Sequence, residues 1–168
     1  DQVSFFLGKN YVISIHASEG PDLFEPVRRR LKTGGQRFRT RGADYLFYAL
    51  TDVIIDLAFP VLEALGDQID AVEIELTDEG RKDMLHQIHG LKREVVLLRR
   101  FLWPQRELLS QLIREEQAFF GDETQVYLRD VYDHAVQAVD LLENYREMCA
   151  SLLEVHLSSM SHRLNEAM

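Results

Sequence analysis

The sequence has little that could cross-link the chain or perform catalysis. Its 168 residues include a single cysteine, Cys149, which excludes a disulfide framework and favours a reducing compartment. Cys149 lies on an apolar helical seam, so we interpret it as a small core residue and not as a reactive thiol. No nucleophile elbow, phosphate-binding glycine loop or catalytic-triad pattern occurs. We therefore expect that the chain is not an enzyme.

Long apolar runs and helix stop signals are also scarce. No run approaches the ~18 apolar residues of a membrane span, and the start lacks the pattern of a signal peptide. We therefore expect this polypeptide, taken alone, to be soluble. Neither glycine nor proline follows Gly121. The segment after Gly121 consequently has no local signal that ends a helix.

The charge of the chain is negative and unevenly distributed. The formal net charge is −9, yet residues 28–42 contain seven Lys or Arg residues and no acid. The acidic remainder attracts cations and repels nucleic acid. The basic tract has one aromatic residue, Phe38, where a single-stranded nucleic-acid surface uses several. We interpret this tract as a solvated surface.

The only β-like pattern lies at the start of the chain. Val3, Phe5 and Leu7 alternate with other residues, and residues 8–10 supply the turn before a β-branched run at residues 12–15. This pattern predicts a β-hairpin. Because two strands alone are marginally stable, we expect further strands upstream of this chain.

From Gly42 onward the apolar residues follow helical spacing. Two seams with internal prolines, Pro60 and Pro104, predict long kinked helices, and their short connections predict antiparallel packing. Residues 122–168 predict one helix on the order of 70 Å long, with Asp122 as its N-cap. Its apolar residues recur at alternating steps of three and four: Leu128, Val131, Ala135, Ala138, Leu142, Tyr145, Cys149 and Leu152.

These elements predict an α+β fold in three parts. Residues 1–41 form the end of a small α/β domain. Residues 42–121 form long kinked helices that pack on the last helix. Residues 122–168 form that last helix.

Two groups of residues on the last helix are candidates for function. Asp130, Asp133 and His134 share one side of it, and carboxylates without nearby cations suit a hard, hydrated cation such as Mg²⁺. A solvated acidic face is the alternative. A second stripe mixes an acid, a hydroxyl, an amide and a thioether, which is wrong for a dry core and fits a wet axis shared by identical helices. Its members are Glu154, Leu157, Ser161, Asn165 and Met168.

Several motifs resemble the CorA family of magnesium and cobalt channels. The resemblance covers essentially the whole chain in order, and the motifs are specific. They are RDVYDH at residues 129–134, LLEVHLSS at 152–159, NEAM at 165–168, QVS at 2–4, EPVR at 25–28, GADYL at 42–46 and LWP at 102–104.

The resemblance implies an architecture and a location. Members of the family are pentamers whose cytoplasmic part joins an α/β/α sandwich to a long stalk helix that continues into the first membrane span. The chain resembles the second half of that cytoplasmic part, at the cytoplasmic face of the inner membrane. The hairpin would then be a remnant of the sandwich. Residues 122–168 would be the stalk, leading to an absent transmembrane segment. The implied partners are identical subunits and the membrane, and not nucleic acid.

The resemblance also implies roles for individual residues. Asp130 matches a residue that holds Mg²⁺ between neighbouring subunits, together with upstream acids that are absent here. Asp52 and His134 match a second, neighbouring metal site. Bound Mg²⁺ would hold the channel closed, and Co²⁺ or another divalent cation is an alternative to Mg²⁺. The stripe from Glu154 to Met168 matches the pore-facing side of the stalk, although Glu154 stands where the family pattern has aspartate.

Other functions remain open at this point. A Zn²⁺ transporter of the same superfamily is a close alternative. A helical scaffold that binds partner helices without metal is a second alternative, and nucleic-acid binding through residues 28–41 is a distant third.

Overall fold

The computed structural model describes residues 2–16, 20, 22–34, 36–77, 83–114 and 119–166. This part of the chain confirms the predicted α+β class, with one hairpin followed by long helices. The elements are β1 (Val3–Gly8), β2 (Tyr11–His16), α1 (Glu25–Lys32), α2 (Gln36–Thr40), α3 (Ala43–Asp56), α4 (Ala58–Thr77), α5 (Met84–Arg114) and α6 (Asp122–Glu166).

The strands form the predicted antiparallel hairpin. Gly8 pairs with Tyr11 and Val3 pairs with His16, so Lys9 and Asn10 make a two-residue connection. Alternating side chains of β1 and β2 pack against a core formed by α1 and α3, as the period of two in a half-buried strand requires. The hairpin therefore covers the residues of α3 that precede the site described below.

The chain forms two compact units. The first contains Asp1–Ala58 and Arg106–Ala135, and the second contains Phe59–Gln105 and Val136–Met168. The three-part division into residues 1–41, 42–121 and 122–168 stays a prediction.

The core of the first unit joins α3 to the end of α5 and the start of α6. Ile55 packs with Leu109, Val131 and Ala135. A second cluster contains Phe47, Phe120 and Leu128, with Phe5 and Leu7 of the hairpin against it. These contacts fix the position of α3 beside the first turns of α6.

The core of the second unit is built from three apolar helix stripes. Cys149 is fully buried, which confirms the prediction of a core residue. The α6 seam is buried as its spacing predicts, with Tyr145 half-buried. The other fully or almost fully buried residues of this unit include Leu62, Leu65, Ile69, Ile88, Val95, Ala138 and Leu142.

The predicted kink at Pro60 is in fact an interruption between two helices. α3 ends at Asp56, Leu57 is a turn residue, and α4 begins at Ala58. A proline ring clashes with the carbonyl of the residue four positions earlier and offers no N–H to it, and here that residue is Asp56. Pro104 lies inside the continuous helix α5.

The expectation that no apolar segment reaches the length of a membrane span needs correction. The helical stretch Ala43–Leu76 has 34 residues and contains a window that is long and apolar enough to cross a membrane by length and composition alone. One third (33%) of that window is buried inside the structure. The stretch contributes Ile55 and Leu62 to the cores of the two units, and core helices of water-soluble proteins pass the same test.

The start of α6 is held by a distant carboxylate and not by the predicted N-cap. α6 begins at Asp122, so Gly121 occupies the capping position. The Gly121 N–H donates a hydrogen bond to Oδ2 of Asp44 at 3.0 Å. Burial alone would raise the pKa of the Asp44 carboxyl. Hydrogen bonds from Gly121, from the Thr124 side chain and from backbone amides together outweigh burial, so the net pKa is lowered.

We predict that Asp44→Asn lowers the free energy of unfolding by about 1 kcal/mol at neutral pH, since it weakens charge-assisted bonds at a helix start. The folded-state pKa of Asp44 lies below its ordinary value of 3.8. The stabilisation is therefore complete above that value and disappears as the pH falls through the folded-state pKa. Urea unfolding at a series of pH values measures this difference. Asp140→Asn, at an exposed position of α6, is the control, and an equal loss in both variants would contradict the assignment.

We also predict opposite effects for two glycines inside helices. A Cβ atom at Gly66 would lie 2.5 Å from the Tyr145 hydroxyl oxygen, whereas a Cβ atom at Gly90 would meet nothing within 4 Å. Gly90→Ala should raise the free energy of unfolding by up to about 1 kcal/mol through helix propensity. Gly66→Ala should lower the melting temperature because the Tyr145 ring must move. Adding Tyr145→Phe should recover part of that loss, and thermal unfolding of the four proteins decides the point.

Candidate metal site

Two carboxylates and one imidazole meet in the first unit. Asp52 and Asp56 are four residues apart on α3, so they share one face of the helix, and His134 approaches them from α6. One potential ligand atom from each of the three residues lies within 4.8 Å of the other two. Nδ1 of His134 is 3.3 Å from Oδ1 of Asp56. This group is referred to below as the DDH cluster.

Apolar packing next to the DDH cluster sets its geometry. Ile55 of α3 packs against Val131 and Ala135 of α6. Because Asp56 follows Ile55 and His134 precedes Ala135, this packing brings Asp56 and His134 together. Residues four apart repeat on a helix face, so the same register holds Asp52 one turn further along. The DDH cluster is thus a consequence of helix packing and not of a flexible loop.

The charges around the DDH cluster are predominantly negative. Burial raises the pKa of the Asp52 carboxyl, and the Asp56 carboxylate raises it further, while His134 and Arg30 oppose the shift. Burial also raises the pKa of Tyr48 to about 12, with Asp52 as the next cause. Carboxylates that raise the pKa values of their neighbours are destabilised by mutual repulsion. A bound cation would relieve that repulsion.

The sequence predicted two of the three residues of the DDH cluster, Asp52 and His134, but missed Asp56. Its spacing of four from Asp52 is a signal that could have revealed it. The third predicted metal residue, Asp130, is exposed on α6 one turn before His134. It lies outside the DDH cluster, although its charge raises the pKa values of Asp52 and Tyr48.

The predicted pore-facing stripe lies on the exposed surface of α6. Glu154, Ser161 and Asn165 are exposed, and Leu157 retains 52% of its accessible area. Met168 lies outside the described residues. The stripe is therefore accessible in a single chain, and its assignment to an ion path stays a prediction.

Arg41 departs from the interpretation of the basic tract as a solvated surface. Its guanidinium lies 4.9 Å from the ring centre of Tyr45 and 5.0 Å from that of Tyr127, with an ion pair of 2.9 Å to Glu123. Only 23% of the Arg41 side chain is exposed. These cation–π contacts tie Arg41, which precedes α3, to the second turn of α6.

The donor set of the DDH cluster suits a divalent metal ion. Two carboxylates supply hard oxygen donors, which Mg²⁺ prefers while it keeps several waters. The imidazole is a better direct ligand for borderline ions such as Co²⁺ and Zn²⁺. Three protein donors leave coordination positions for water or for a ligand from another chain.

Comparison with known proteins gives matches along the whole chain. The family described as CorA-like Mg²⁺ transporter protein matches residues 1–168. The chain is 42% identical over 168 residues to the cobalt/magnesium transport protein CorA of Thermotoga maritima, covering 100% of this chain and 48% of that protein. It is 30% identical over 128 residues to the divalent cation transporter CmaX of Pseudomonas aeruginosa, covering 75% of this chain and 38% of that protein. The chain thus spans about half or less of the length of these curated relatives.

Solved structures share the fold. The full-length CmaX structure matches with a TM-score of 0.84 at 26% identity, over 99% of this chain and 50% of that one. The complete structure of the CorA magnesium transporter from Methanocaldococcus jannaschii matches with a TM-score of 0.82 at 23% identity, over 98% and 52%. The soluble domain of CorA from the same organism matches with a TM-score of 0.71 at 20% identity, over 93% and 62%. The last two likenesses concern the fold alone.

Proposed function

The chain belongs to the CorA family of divalent cation transporters, and from this premise we propose that it is the cytoplasmic regulatory and stalk part of a Mg²⁺ and Co²⁺ channel. In this proposal it senses intracellular Mg²⁺ and controls the gate. The observation that carries it is the DDH cluster, in which Asp52, Asp56 and His134 hold ligand atoms within 4.8 Å of one another. The function is transport and regulation and not catalysis.

Sensing is proposed to work through electrostatic repulsion between acidic groups. Without a divalent cation, Asp52, Asp56 and nearby Asp130 repel one another and any carboxylate of a neighbouring subunit. A bound Mg²⁺ cancels that repulsion and favours the arrangement that brings the acids together. This is a population shift driven by the greater affinity of the cation for one assembly state. The proposed assembly is a homopentamer at the cytoplasmic face of the inner membrane.

The stalk is proposed to carry the transported ion along its exposed stripe. Glu154 would form an acidic ring that attracts hydrated cations, and Asn165 would contact their water shells. Met168, outside the described residues, would supply a dry constriction beside Asn165 through its thioether. Leu157 belongs to the same proposed stripe. Here the cation is cargo, distinct from the ion sensed at the DDH cluster.

A Zn²⁺ transporter of the same superfamily is the alternative, and a specific observation favours Zn²⁺ or Co²⁺ over Mg²⁺ as the sensed ion. His134 adds an imidazole to two carboxylates, and this mixed donor set binds Zn²⁺ or Co²⁺ more tightly than Mg²⁺. Two relatives of this chain are each named cobalt/magnesium transport protein CorA. The relative affinities of the DDH cluster therefore separate the candidate regulatory ions.

We predict that the chain binds Co²⁺ at least tenfold more tightly than Mg²⁺, because only Co²⁺ gains substantially from an imidazole ligand. Isothermal titration calorimetry gives both affinities. Asp56→Asn and His134→Ala should each weaken Co²⁺ binding by about tenfold or more. Asp140→Asn, an exposed acid on the same helix, is the matched control. Unchanged Co²⁺ binding by both site variants would place the ion elsewhere.

A second prediction concerns gating in the complete channel that the proposal implies. Asp130→Lys puts a fixed positive charge next to the acids, so the closed state should need less Mg²⁺. Asp130→Ala only removes one negative charge, so closure should shift to higher Mg²⁺. Limited proteolysis over a Mg²⁺ series reports both changes, because closure protects the chain. If both variants keep the wild-type protection profile, Asp130 is an ordinary solvated carboxylate and the regulatory role assigned to it is wrong.

A further inference from the structure

Charge is segregated between two neighbouring helices of the second unit. α4 contains five acidic residues and no basic one. α5 contains six Lys or Arg residues and two acids. Two antiparallel helices with opposite charge could neutralise each other within one chain. Their charged residues instead lie mainly on outward faces.

α4 presents an acidic outward seam. Glu63, Asp67, Asp70 and Ile74 follow one another at steps of four, three and four, so they share one face, and all four are exposed. None of these three acids forms an ion pair with another described residue. Burial raises the pKa of Tyr145 on α6, and the charges of Asp70, Asp67 and Glu63 raise it further. The exposed seam therefore runs beside Tyr145.

α5 presents a basic outward seam with matching periodicity. Its members recur at steps of three and four, and all of them are exposed, including 57% of Val96 and 41% of Trp103. Arg99 pairs with Glu143 of α6, and its guanidinium lies 5.1 Å from the ring centre of Trp103. Lys92, Arg93 and Arg100, by contrast, form no ion pair with another described residue. The seam consists of His86, His89, Arg93, Val96, Arg100 and Trp103.

The surface beside the basic seam is concave. His86, His89, Lys92, Arg93 and Val96 line an open groove of about 580 Å³. These described lining residues all belong to α5. A helix with heptad-spaced acids and an apolar residue fits such a surface, in the manner of flanking charges in a coiled coil.

We propose that the acidic outward seam of α4 in one copy of the chain packs against the basic outward seam of α5 in the next copy. This inference rests on the proposed homo-oligomer and adds a specific contact to it. A second copy is the occupant because both complementary seams are on the same chain and neither is neutralised within its described part. Two different surfaces make a heterologous contact, which can close into a ring.

The proposed contact combines apolar burial with charge complementarity. Ile74 is 67% exposed on the acidic seam, and Val96 is 57% exposed on the basic seam. The exposed ion pairs contribute little energy individually. They select the partner surface and speed its association instead. The contact should consequently weaken as the salt concentration rises.

Charge reversal on one or both seams tests the proposal. The acid-reversed variant is Asp67→Lys with Asp70→Lys, and the base-reversed variant is Arg93→Glu with Arg100→Glu. Each should weaken self-association of the 168-residue chain by about tenfold or more at low salt, because like charges then face each other. Combining all four changes in one chain restores opposite signs, so association should return. Sedimentation equilibrium over a concentration series measures each protein.

The controls separate a specific contact from a general charge effect. Asp140→Lys with Glu147→Lys changes the net charge as much as the acid-reversed variant, at exposed positions of α6, and should leave association unchanged. An equimolar mixture of the two reversed variants should associate, since the α4 seam of each variant then has the opposite charge to the α5 seam of the other. If the combined variant stays dissociated, or the wild type is monomeric throughout the series, the proposal is wrong.

Other partners and the proposed metal function give distinguishable results. Binding of anionic lipid vesicles or DNA that is lost in the base-reversed variant, with self-association unaffected, would assign the basic seam to that partner and overturn the proposal. Co²⁺ titration of the same variants reports the DDH cluster separately, because its three residues lie in the first unit. If the wild type does not bind Co²⁺, the proposed function is contradicted. Restored association in the combined variant would still support the seam contact.

Discussion

The buried seam of α6 is the constraint on which the rest of the structure depends. A single helix of 45 residues contributes Leu128 and Val131 to the core of the first unit, and Leu142 and Cys149 to that of the second. Because the seam repeats at steps of three and four, the residues between its members must point away from it. Asp130 is exposed for this reason, and His134 lies at the margin of the seam, where it reaches the carboxylates of α3. The helix periodicity thus decides which polar side chains are available for metal ions or neighbouring chains.

Local periodicity predicted the elements of this fold, and long-range contacts supplied what it could not predict. The hairpin turn at Lys9 and the α6 seam follow from spacing within a few residues. The hydrogen bond from Gly121 to Asp44 joins residues 77 positions apart. No local pattern could therefore predict that Asp44, and not Asp122, holds the start of α6. Arg41 looked solvated because the sequence alone does not bring Tyr127 over its guanidinium. Asp56 had the right spacing from Asp52, but only the register of α3 on α6 turns that spacing into a cluster with His134.

A divalent cation at the DDH cluster, as proposed above, would couple the stability of the first unit to the concentration of that cation. Its acids stand beside the apolar contact of Ile55 with Val131, so their repulsion acts against packing that holds α3 on α6. Burial and Asp56 together raise the pKa of Asp52, which is the signature of a carboxylate whose charged form is disfavoured. A cation that binds only the folded cluster stabilises it by mass action. The proposed sensing needs only a modest affinity, because a regulatory site has to release its ion when the concentration falls.

The last turns of α6 extend this reasoning from the chain to its neighbours. None of the described residues 154–166 is buried, and only His156 is half-buried. A helix of about a dozen residues without packing is marginal in water, so these turns draw their order from the buried seam upstream or from contacts outside the chain. Their exposed apolar residues, among them Leu157 and Leu164, alternate with hydroxyl and amide groups. A surface of that composition is poor as a dry core and poor as a fully solvated face, which is the composition expected of the stripe proposed above to face the ion path.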